Sequence, residues 1–203
     1  LGDVYKRQAY NPVKDSAQSF TANEKIKCIT QDYNSFLDKV DAVYIASPNE
    51  THYEYARRAI EAGKHVLSEK PLSFTKNESE ELYSLAKKNK VVLMEAVKAA
   101  YCPGFQQLVN VAKSGKIGKI IDVEASFTRL ADKASRERTD AKYGGSFLEF
   151  GPSVLVPVIK LMGSDYERVS FDSIYDESGV DIYTKADIRY PEGFATVKTG
   201  VGV

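Results

Sequence analysis

Two short polar segments of the sequence, Ser47-Pro48-Asn49 and Ser68-Glu69-Lys70-Pro71, carry the side chains best suited to chemistry. Each follows a short apolar run, at residues 42–46 and 65–67, of the kind that forms a buried strand. Hydroxyl, amide and carboxylate groups bind polar ligands, and a lysine ammonium can also carry a proton. The two segments therefore predict a ligand site.

The stretch from Asp41 to Pro71 has the order of elements that brings these segments together. The sequence predicts a strand at 42–46 that is buried on both faces, then a helix over 50–62 with Asn49 as its N-cap. Gly63 stands where a helix commonly ends, and a second strand follows. A strand, a helix and a strand within about 30 residues form a βαβ unit with parallel strands. Ligands bind beyond the carboxyl ends of such strands, so both polar segments are expected at one edge of the sheet.

Composition excludes several classes of protein. The 203 residues contain 28 Lys+Arg and 28 Asp+Glu, so no net charge would attract nucleic acid or an anionic membrane. No apolar run in the sequence is long enough to span a bilayer. Cys28 and Cys102 lack metal-ligand spacing, and His52 and His65 do not complete a metal site. We therefore expect no metal, two buried thiols and a reducing, cytoplasmic location.

The apolar pattern predicts two domains, 9–101 and 102–203, with a boundary near residues 101–104. Short strands alternate with helices in the first domain, which is typical of a parallel sheet. A helix-backed and largely antiparallel sheet is expected in the second. Residues 1–8 do not fit the pattern of strands and helices that follows them, and we expect them to be non-native. Predicted helices are 15–23, 34–37, 50–62, 73–88, 104–114 and 146–162; predicted strands after residue 25 are 26–29, 42–46, 65–67, 91–94, 120–127, 169–176, 180–190 and 194–203.

Several short motifs follow one another along the chain. They are Asp41-Ala-Val-Tyr-Ile-Ala-Ser-Pro-Asn, His52, Ala62-Gly63-Lys64-His65-Val66, Glu69-Lys70-Pro71, Met94-Glu95-Ala96, Tyr101-Cys102-Pro103, Gly115-Lys116-Ile117-Gly118 and Gly144-Gly145-Ser146-Phe147-Leu148-Glu149. In this order the sequence resembles the Gfo/Idh/MocA family of NAD(P)-dependent oxidoreductases over residues 9–203, and most of all its dihydrodiol dehydrogenase-like members. The resemblance implies an α/β fold class: an incomplete Rossmann-like parallel-sheet domain followed by an α+β domain.

The family pattern opens with a strand and a GxGxxG-type loop that holds the pyrophosphate, and this sequence contains no such loop. In the family's order Ala9-Tyr10-Asn11 match the end of the second strand. The resemblance thus implies that one βαβ opening of about 30 residues is missing upstream, and that the end of the second sheet is missing too. We expect the chain to be a fragment that binds dinucleotide poorly and turns over nothing by itself.

The resemblance assigns catalysis to Lys70, Glu149 and Ser153. Lys70 is expected beside the nicotinamide and the substrate hydroxyl, where it takes or donates a proton as hydride moves; the alternative is a surface lysine at a strand end. Glu149 is the acidic residue after the glycine pair, expected near the substrate. Ser153 stands where relatives often have His or Tyr, and Ala100 where they often have Arg. Because a serine hydroxyl accepts protons poorly, the proton chemistry falls to Lys70.

The implied cofactor is NAD or NADP. The residues at matching cofactor positions are Tyr10, Asn11, Ser47, Pro48, Asn49, His52, Glu69, Lys70, Pro71 and Glu95. Some have structural alternatives: Ser47-Pro48-Asn49 also end a strand and start a helix, and His52 is as well suited to a structural role. Glu69 either pairs with Lys70 or holds the nicotinamide ribose. An acidic residue at the end of the second strand would favour NAD, but Asn11 is neutral and Lys14 is close, so both dinucleotides remain open.

The implied activity is hydride transfer between nicotinamide and a secondary alcohol or carbonyl of a sugar, polyol, diol or related small molecule. The expected partners are this substrate and further copies of the chain, as a dimer or tetramer formed through the C-terminal sheet. Two alternatives stay open. One is a cofactor-binding regulator that has lost the chemistry, which Ser153 and Ala100 favour, and the other is a redox-assisted glycosidase.

Overall fold

Parallel strands organise the first half of the chain and a largely antiparallel sheet organises the second. The computed structural model describes residues 8–18, 26 and 28–202. The chain divides into two compact units, Leu1–Glu95 and Ala96–Val203. The α/β fold class expected from the sequence is confirmed.

The first unit contains two groups of parallel strands. Strands β1 (Gln8–Tyr10) and β2 (Cys28–Thr30) pair with each other. Strands β3 (Ala42–Ile45), β4 (His65–Ser68) and β5 (Leu93–Glu95) form a second sheet in that order. Parallel strands need a crossover between them, and helices supply it here.

The described helices of the first unit are α1 (Tyr33–Leu37), α2 (His52–Glu61) and α3 (Lys76–Asn89), and residues 14–18 are also helical. Helices α2 and α3 cover one face of the β3–β4–β5 sheet, and α1 contacts β1 and β2. Ile60 of α2 and Leu82 of α3 are 0% exposed and pack with Val43, Ile45 and Val66 of the sheet. Complete burial of one such side chain contributes about 1.5–3 kcal/mol, so this packing holds the strand ends in place.

Four local expectations need correction. Strand β3 is buried on one face only, because Tyr44 on the other face is 59% exposed while the described helices pack on Val43 and Ile45. Asn49 is not the helix N-cap, since a 3-10 turn, Asn49–Thr51, precedes α2.

Helix α3 begins three residues later than expected, because Thr75 and Glu78 form a reciprocal capping box at its start. Cys28 and Cys102 are exposed rather than buried, since both lie at the ends of elements instead of within the packed faces. The remainder of the predicted 15–23 helix and residue 27 of the predicted 26–29 strand lie outside the described residues.

The second unit is a four-stranded sheet backed by a long helix. The helices are α4 (Pro103–Lys113), α5 (Arg136–Thr139) and α6 (Ser146–Met162), with a 3-10 turn at Lys98–Tyr101. The strands are β6 (Asp122–Arg129), β7 (Arg168–Tyr175), β8 (Asp181–Tyr190) and β9 (Gly193–Val201), in the order β6-β9-β8-β7. Pairing is antiparallel except between β6 and β9, which are parallel.

Helix α6 packs on alternate residues of the sheet. Val154 and Val158 of the helix contact a cluster that includes Ala186, Ile188 and Val197, all of them buried. Period-two alternation along β8 and β9 puts these residues on the same face. The helix matches its predicted bounds of 146–162.

Candidate active site

The two polar segments lie beyond the carboxyl ends of β3 and β4. These strands run parallel, with Ile45 paired to Ser68, so the chain leaves both strands at the same edge of the sheet. The ladder continues one step further, because the Glu69 N–H donates to the Ile45 carbonyl at 2.8 Å. The sheet therefore brings Ser47 and Glu69-Lys70 to one edge, as the sequence predicts.

Glu69 is oriented by a residue on the exposed face of β3. The Tyr44 hydroxyl donates to Glu69 Oε1 at 2.6 Å. This bond, with a smaller effect of burial, raises the pKa of Tyr44 to about 12, because ionisation would put two negative charges together. Tyr44 thus stays a neutral donor at physiological pH and fixes one oxygen of the Glu69 carboxylate.

His52 lies between the two segments that follow β3 and β4. The residue is 2% exposed, with Nδ1 2.8 Å from the Pro71 carbonyl oxygen and Nε2 2.9 Å from the Ser47 carbonyl oxygen. Position 52 is the first residue of α2, and α2 packs against the sheet. The helix therefore inserts this side chain between the two segments.

Glu95, at the end of β5, reaches the same segment as His52. Its Oε1 accepts a hydrogen bond from the Leu72 N–H at 2.9 Å. Pro71 and Leu72 are buried, and Lys70 before them is half-buried. The Lys70–Pro71 peptide bond is cis. Lys70 is thus presented from a chain segment that is hydrogen-bonded on both sides.

The Ser47-Pro48-Asn49 segment forms a tight turn into α2. The Ser47 hydroxyl is 2.6 Å from the Thr51 hydroxyl, which donates to the Pro48 carbonyl at 2.7 Å. Ser47 and Asn49 are half-buried and Pro48 is exposed. The segment ends β3 and starts the helix, and its side chains lie at the sheet edge where a ligand would bind.

Tyr10 and Asn11 lie at the end of β1, in the other strand pair. The Tyr10 ring packs in an aromatic cluster with Tyr33, Phe36 and Tyr55. Its hydroxyl is 3.3 Å from the Tyr55 hydroxyl. Asn11 Oδ1 accepts from the Val13 N–H at 2.8 Å, a local turn that leaves a neutral amide at the strand end.

Residues 7–97 match an oxidoreductase family with an NAD-binding Rossmann fold, Gfo/Idh/MocA. Across 207 aligned positions the chain is 35% identical to scyllo-inositol 2-dehydrogenase (NADP(+)) IolU of Bacillus subtilis, which covers 97% of this chain. Residues 7–97 belong to the Gfo/Idh/MocA family. The chain is also 35% identical, over 133 positions and 65% of its length, to dTDP-3,4-didehydro-2,6-dideoxy-alpha-D-glucose 3-reductase of Actinomadura kijaniata.

Solved structures of Gfo/Idh/MocA-like oxidoreductases have the same fold. The 3-ketoreductase KijD10 of Actinomadura kijaniata, in complex with NADP and TDP-benzene, superposes with a TM-score of 0.87 at 28% identity over 97% of this chain. The chain spans about 60% of the length of the relatives it matches: 60% of the inositol dehydrogenase and 62% of the KijD10 chain.

The second unit carries Glu149 and Ser153 on α6. Glu149 is in the first turn of the helix and Ser153 is one turn further along; both are half-buried. Lys70 belongs to the first unit, and Ala100 lies in the 3-10 turn Lys98–Tyr101 of the second.

The start of α6 is bound by a residue that sequence reasoning missed. Asp181 Oδ2 accepts from the Phe147 N–H at 2.9 Å, the Ser146 hydroxyl at 2.8 Å and the Thr184 hydroxyl at 2.8 Å. Gly145 gives this carboxylate room, since a Cβ there would lie 1.9 Å from Asp181 Oδ1. Asp181 therefore caps the helix that presents Glu149.

Tyr44 is the second residue that the motifs did not identify as part of the site. A sequence signal existed, since alternation along β3 places Tyr44 on the face opposite Val43 and Ile45. Asp181 has no local signal for this role, because it lies 34 or 35 residues from the groups of α6 that it binds.

An open and mostly apolar depression of about 630 Å³ lies in the second unit, between α4, the loop after it and β6. It contains none of the expected catalytic residues, so we do not assign it to the site. Among the described residues no group of three or more His, Cys, Asp or Glu side chains could hold a metal. No helix in the described part of the chain has the length and apolar character needed to cross a membrane.

Proposed function

We propose that the whole protein is an NAD(P)-dependent oxidoreductase. It moves hydride between nicotinamide and a secondary alcohol or carbonyl of a sugar, polyol, diol or related small molecule. Lys70 carries the proposal, because it stands at the carboxyl edge of a parallel sheet, among the residues that match this family, on a segment that is hydrogen-bonded on both sides.

The side chains at this edge fit a nicotinamide ribose. A carboxylate has about four acceptor sites, and the Tyr44 hydroxyl uses one site on Glu69. Glu69 can thus also accept from a ribose hydroxyl. The Ser47 hydroxyl at the neighbouring strand end can both donate and accept. When bound, the nicotinamide supplies or accepts the hydride.

Lys70 moves the proton that accompanies this hydride. In carbonyl reduction its ammonium group donates a proton to the substrate oxygen while the carbonyl carbon receives the hydride. In alcohol oxidation the neutral amine accepts the hydroxyl proton while the carbon loses the hydride. Glu149 and Ser153 orient substrate hydroxyls from α6, since a carboxylate accepts and a hydroxyl donates.

The names of the relatives indicate the substrate class. One is named for scyllo-inositol, a cyclic polyol, and another for a nucleotide-linked deoxysugar. Both names fit a secondary alcohol or ketone on a six-membered ring. NADP is accommodated as well as NAD, because Asn11 at the end of β1 presents a neutral amide that would not repel a 2′-phosphate.

Turnover by the whole protein tests this proposal. Absorbance at 340 nm would be followed with inositols, pyranoses and nucleotide-linked ketosugars, and binding of NADPH by its fluorescence. Lys70→Ala should lower kcat by about 10²–10⁴-fold, the usual contribution of a general acid or base, and leave NADPH binding within about threefold. Lys64→Ala changes a half-buried lysine between α2 and β4 and is the matched control. Full turnover by Lys70→Ala, or no NAD(P)H binding by the whole protein, would contradict the proposal.

A regulator of the same fold is the second candidate, and Ser153 favours it because a serine replaces a His or Tyr proton carrier. Cofactor binding without turnover across the panel would support this reading. A redox-assisted glycosidase would instead show net hydrolysis with no net reduction of the cofactor.

A further inference from the structure

We infer that His52 and Glu95 are positioning residues that hold Lys70 in place by binding a single peptide group, the one between Pro71 and Leu72. The inference rests on the proposed function, because the position of Lys70 affects the reaction only if Lys70 carries the proton. It gives both residues a role other than contact with the dinucleotide.

The Pro71–Leu72 peptide group is bound at both of its polar ends. With the ring proton on Nδ1, His52 donates to the carbonyl oxygen of this group at 2.8 Å, and the N–H of the group donates to Glu95 Oε1 at 2.9 Å. A peptide group is planar, with the C=O and N–H on opposite sides. Two bonds at opposite ends therefore fix the rotation of the whole plane, which one bond alone would not do.

This constraint is transmitted to Lys70 through the proline. The ring of Pro71 fixes its own φ, so few backbone torsions separate the bound peptide group from Lys70. On the other side, the Glu69 N–H is bound to the Ile45 carbonyl. Lys70 is thus enclosed between two anchored points of the main chain.

His52 also contacts the neighbouring strand end. Its Nε2 is 2.9 Å from the Ser47 carbonyl oxygen, and the residue is 2% exposed. Both ring nitrogens therefore face backbone carbonyl oxygens, which can only accept, so a neutral ring donates its one N–H to one of them and an imidazolium donates to both. No ring nitrogen is directed to a ligand, so His52 acts on the site through the main chain.

Loss of either anchor should slow proton transfer and leave dinucleotide binding unchanged. A displacement of about 1 Å at a reacting group can cost 10²-fold in rate. We therefore expect His52→Phe and Glu95→Leu each to lower kcat by about 10–100-fold, with the Kd for NADPH within about threefold of wild type. Glu95→Gln keeps an acceptor oxygen and should retain kcat within about threefold.

The structure offers matched controls that bind backbone groups other than the Pro71–Leu72 peptide group. His65 Nδ1 accepts from the Val92 N–H at 3.0 Å, at the amino end of β4, and Glu78 accepts from backbone N–H groups at the start of α3. His65→Phe and Glu78→Leu remove the same kinds of bond and should keep wild-type kcat. Either control falling as far as its partner variant would mean a general loss of stability and would overturn the inference.

Two readouts do not depend on turnover. Hydrogen exchange of the Leu72 amide should be slow in wild type and Glu95→Gln and fast in Glu95→Leu. Competitive acetylation of Lys70, measured by mass spectrometry against Lys64, should rise in His52→Phe and Glu95→Leu as the segment loosens. Unchanged acetylation in both variants would contradict the inference.

The variants separate this inference from the proposed function. If Lys70→Ala keeps full turnover, the proposed function is wrong. If Lys70→Ala is slow while His52→Phe and Glu95→Leu match their controls, only the positioning inference is wrong. A weaker Kd for NADPH with unchanged kcat would make the two residues cofactor ligands instead. If His52→Phe does not fold, the comparison of kcat between Glu95→Leu and Glu95→Gln tests the positioning inference by itself.

Discussion

Removing the Asp181 carboxylate should destabilise the second unit, because it binds the first turn of α6 from a strand. In Asp181→Ala the Phe147 N–H loses its acceptor, which at a helix N-terminus costs about 1 kcal/mol. The Ser146 and Thr184 hydroxyls lose bonds to a charged acceptor, but each keeps a neighbour, Thr199 at 2.9 Å and Ser173 at 2.8 Å. We therefore assign each hydroxyl a loss of about 0.5–1 kcal/mol in folding stability, which is below the usual value for a hydrogen bond to a charged acceptor. The expected loss is about 2–3 kcal/mol in total.

Urea unfolding at neutral pH measures this loss. With an m-value of about 2 kcal/mol/M, the midpoint should fall by about 1–1.5 M. Asp181→Asn keeps an acceptor oxygen and loses the charge at the helix N-terminus, so it should lose about half as much. Asp172→Ala, an exposed change on β7, is the control and should stay within about 0.5 kcal/mol. If Asp181→Ala shifts the midpoint no further than Asp172→Ala, the capping role is wrong.

Two further predictions concern Gly145, which lies beside Asp181, and Tyr44, which binds Glu69. Gly145→Ala should lower the free energy of unfolding by about 2 kcal/mol or more, since Gly145 has φ +101° and a Cβ there would collide with Asp181. Gly63→Ala should lower it by less in the same urea assay, because Gly63 has φ +72° but a Cβ there would meet nothing within 4 Å. Tyr44 has a folded pKa of about 12 against about 10 in the unfolded chain, so its contribution to stability is fully present below pH 10 and is lost as pH rises through 12. Titration at 295 nm should show Tyr44 ionising at lower pH in Glu69→Gln, and an unchanged titration would mean that Glu69 is not the cause.

The bounds of elements that begin and end at glycines were predictable to within a residue or two. Helix α6 starts and ends as expected because Gly145 and Gly163 bracket a long apolar repeat, and both adopt positive φ. Helix α3 started later than expected, because the capping box of Thr75 and Glu78 decided the boundary. The exposed face of β3 was missed, since burial of a strand face depends on what packs against it and not on its composition alone.

The motifs identified the edge of the sheet and left the roles within it open. Lys70 and Glu69 were expected at a strand end because parallel strands direct their carboxyl ends to one edge. His52 and Glu95 were grouped with the cofactor contacts because a motif records position and not the direction of a side chain. Their backbone partners lie 19 and 23 residues away, and no local pattern connects such distant groups.

The sequence by itself determined the family, the order of strands and helices, and the two strand ends where Ser47 and Lys70 stand. These depend on local periodicity, glycine positions and short motifs, which act over a few residues. The tertiary structure alone decided that His52 and Glu95 bind the same peptide group, that Tyr44 holds Glu69, and that Asp181 caps α6. Each of these contacts joins residues far apart in the chain, so each exists only once packing of the helices on the sheets has brought their side chains within hydrogen-bond distance.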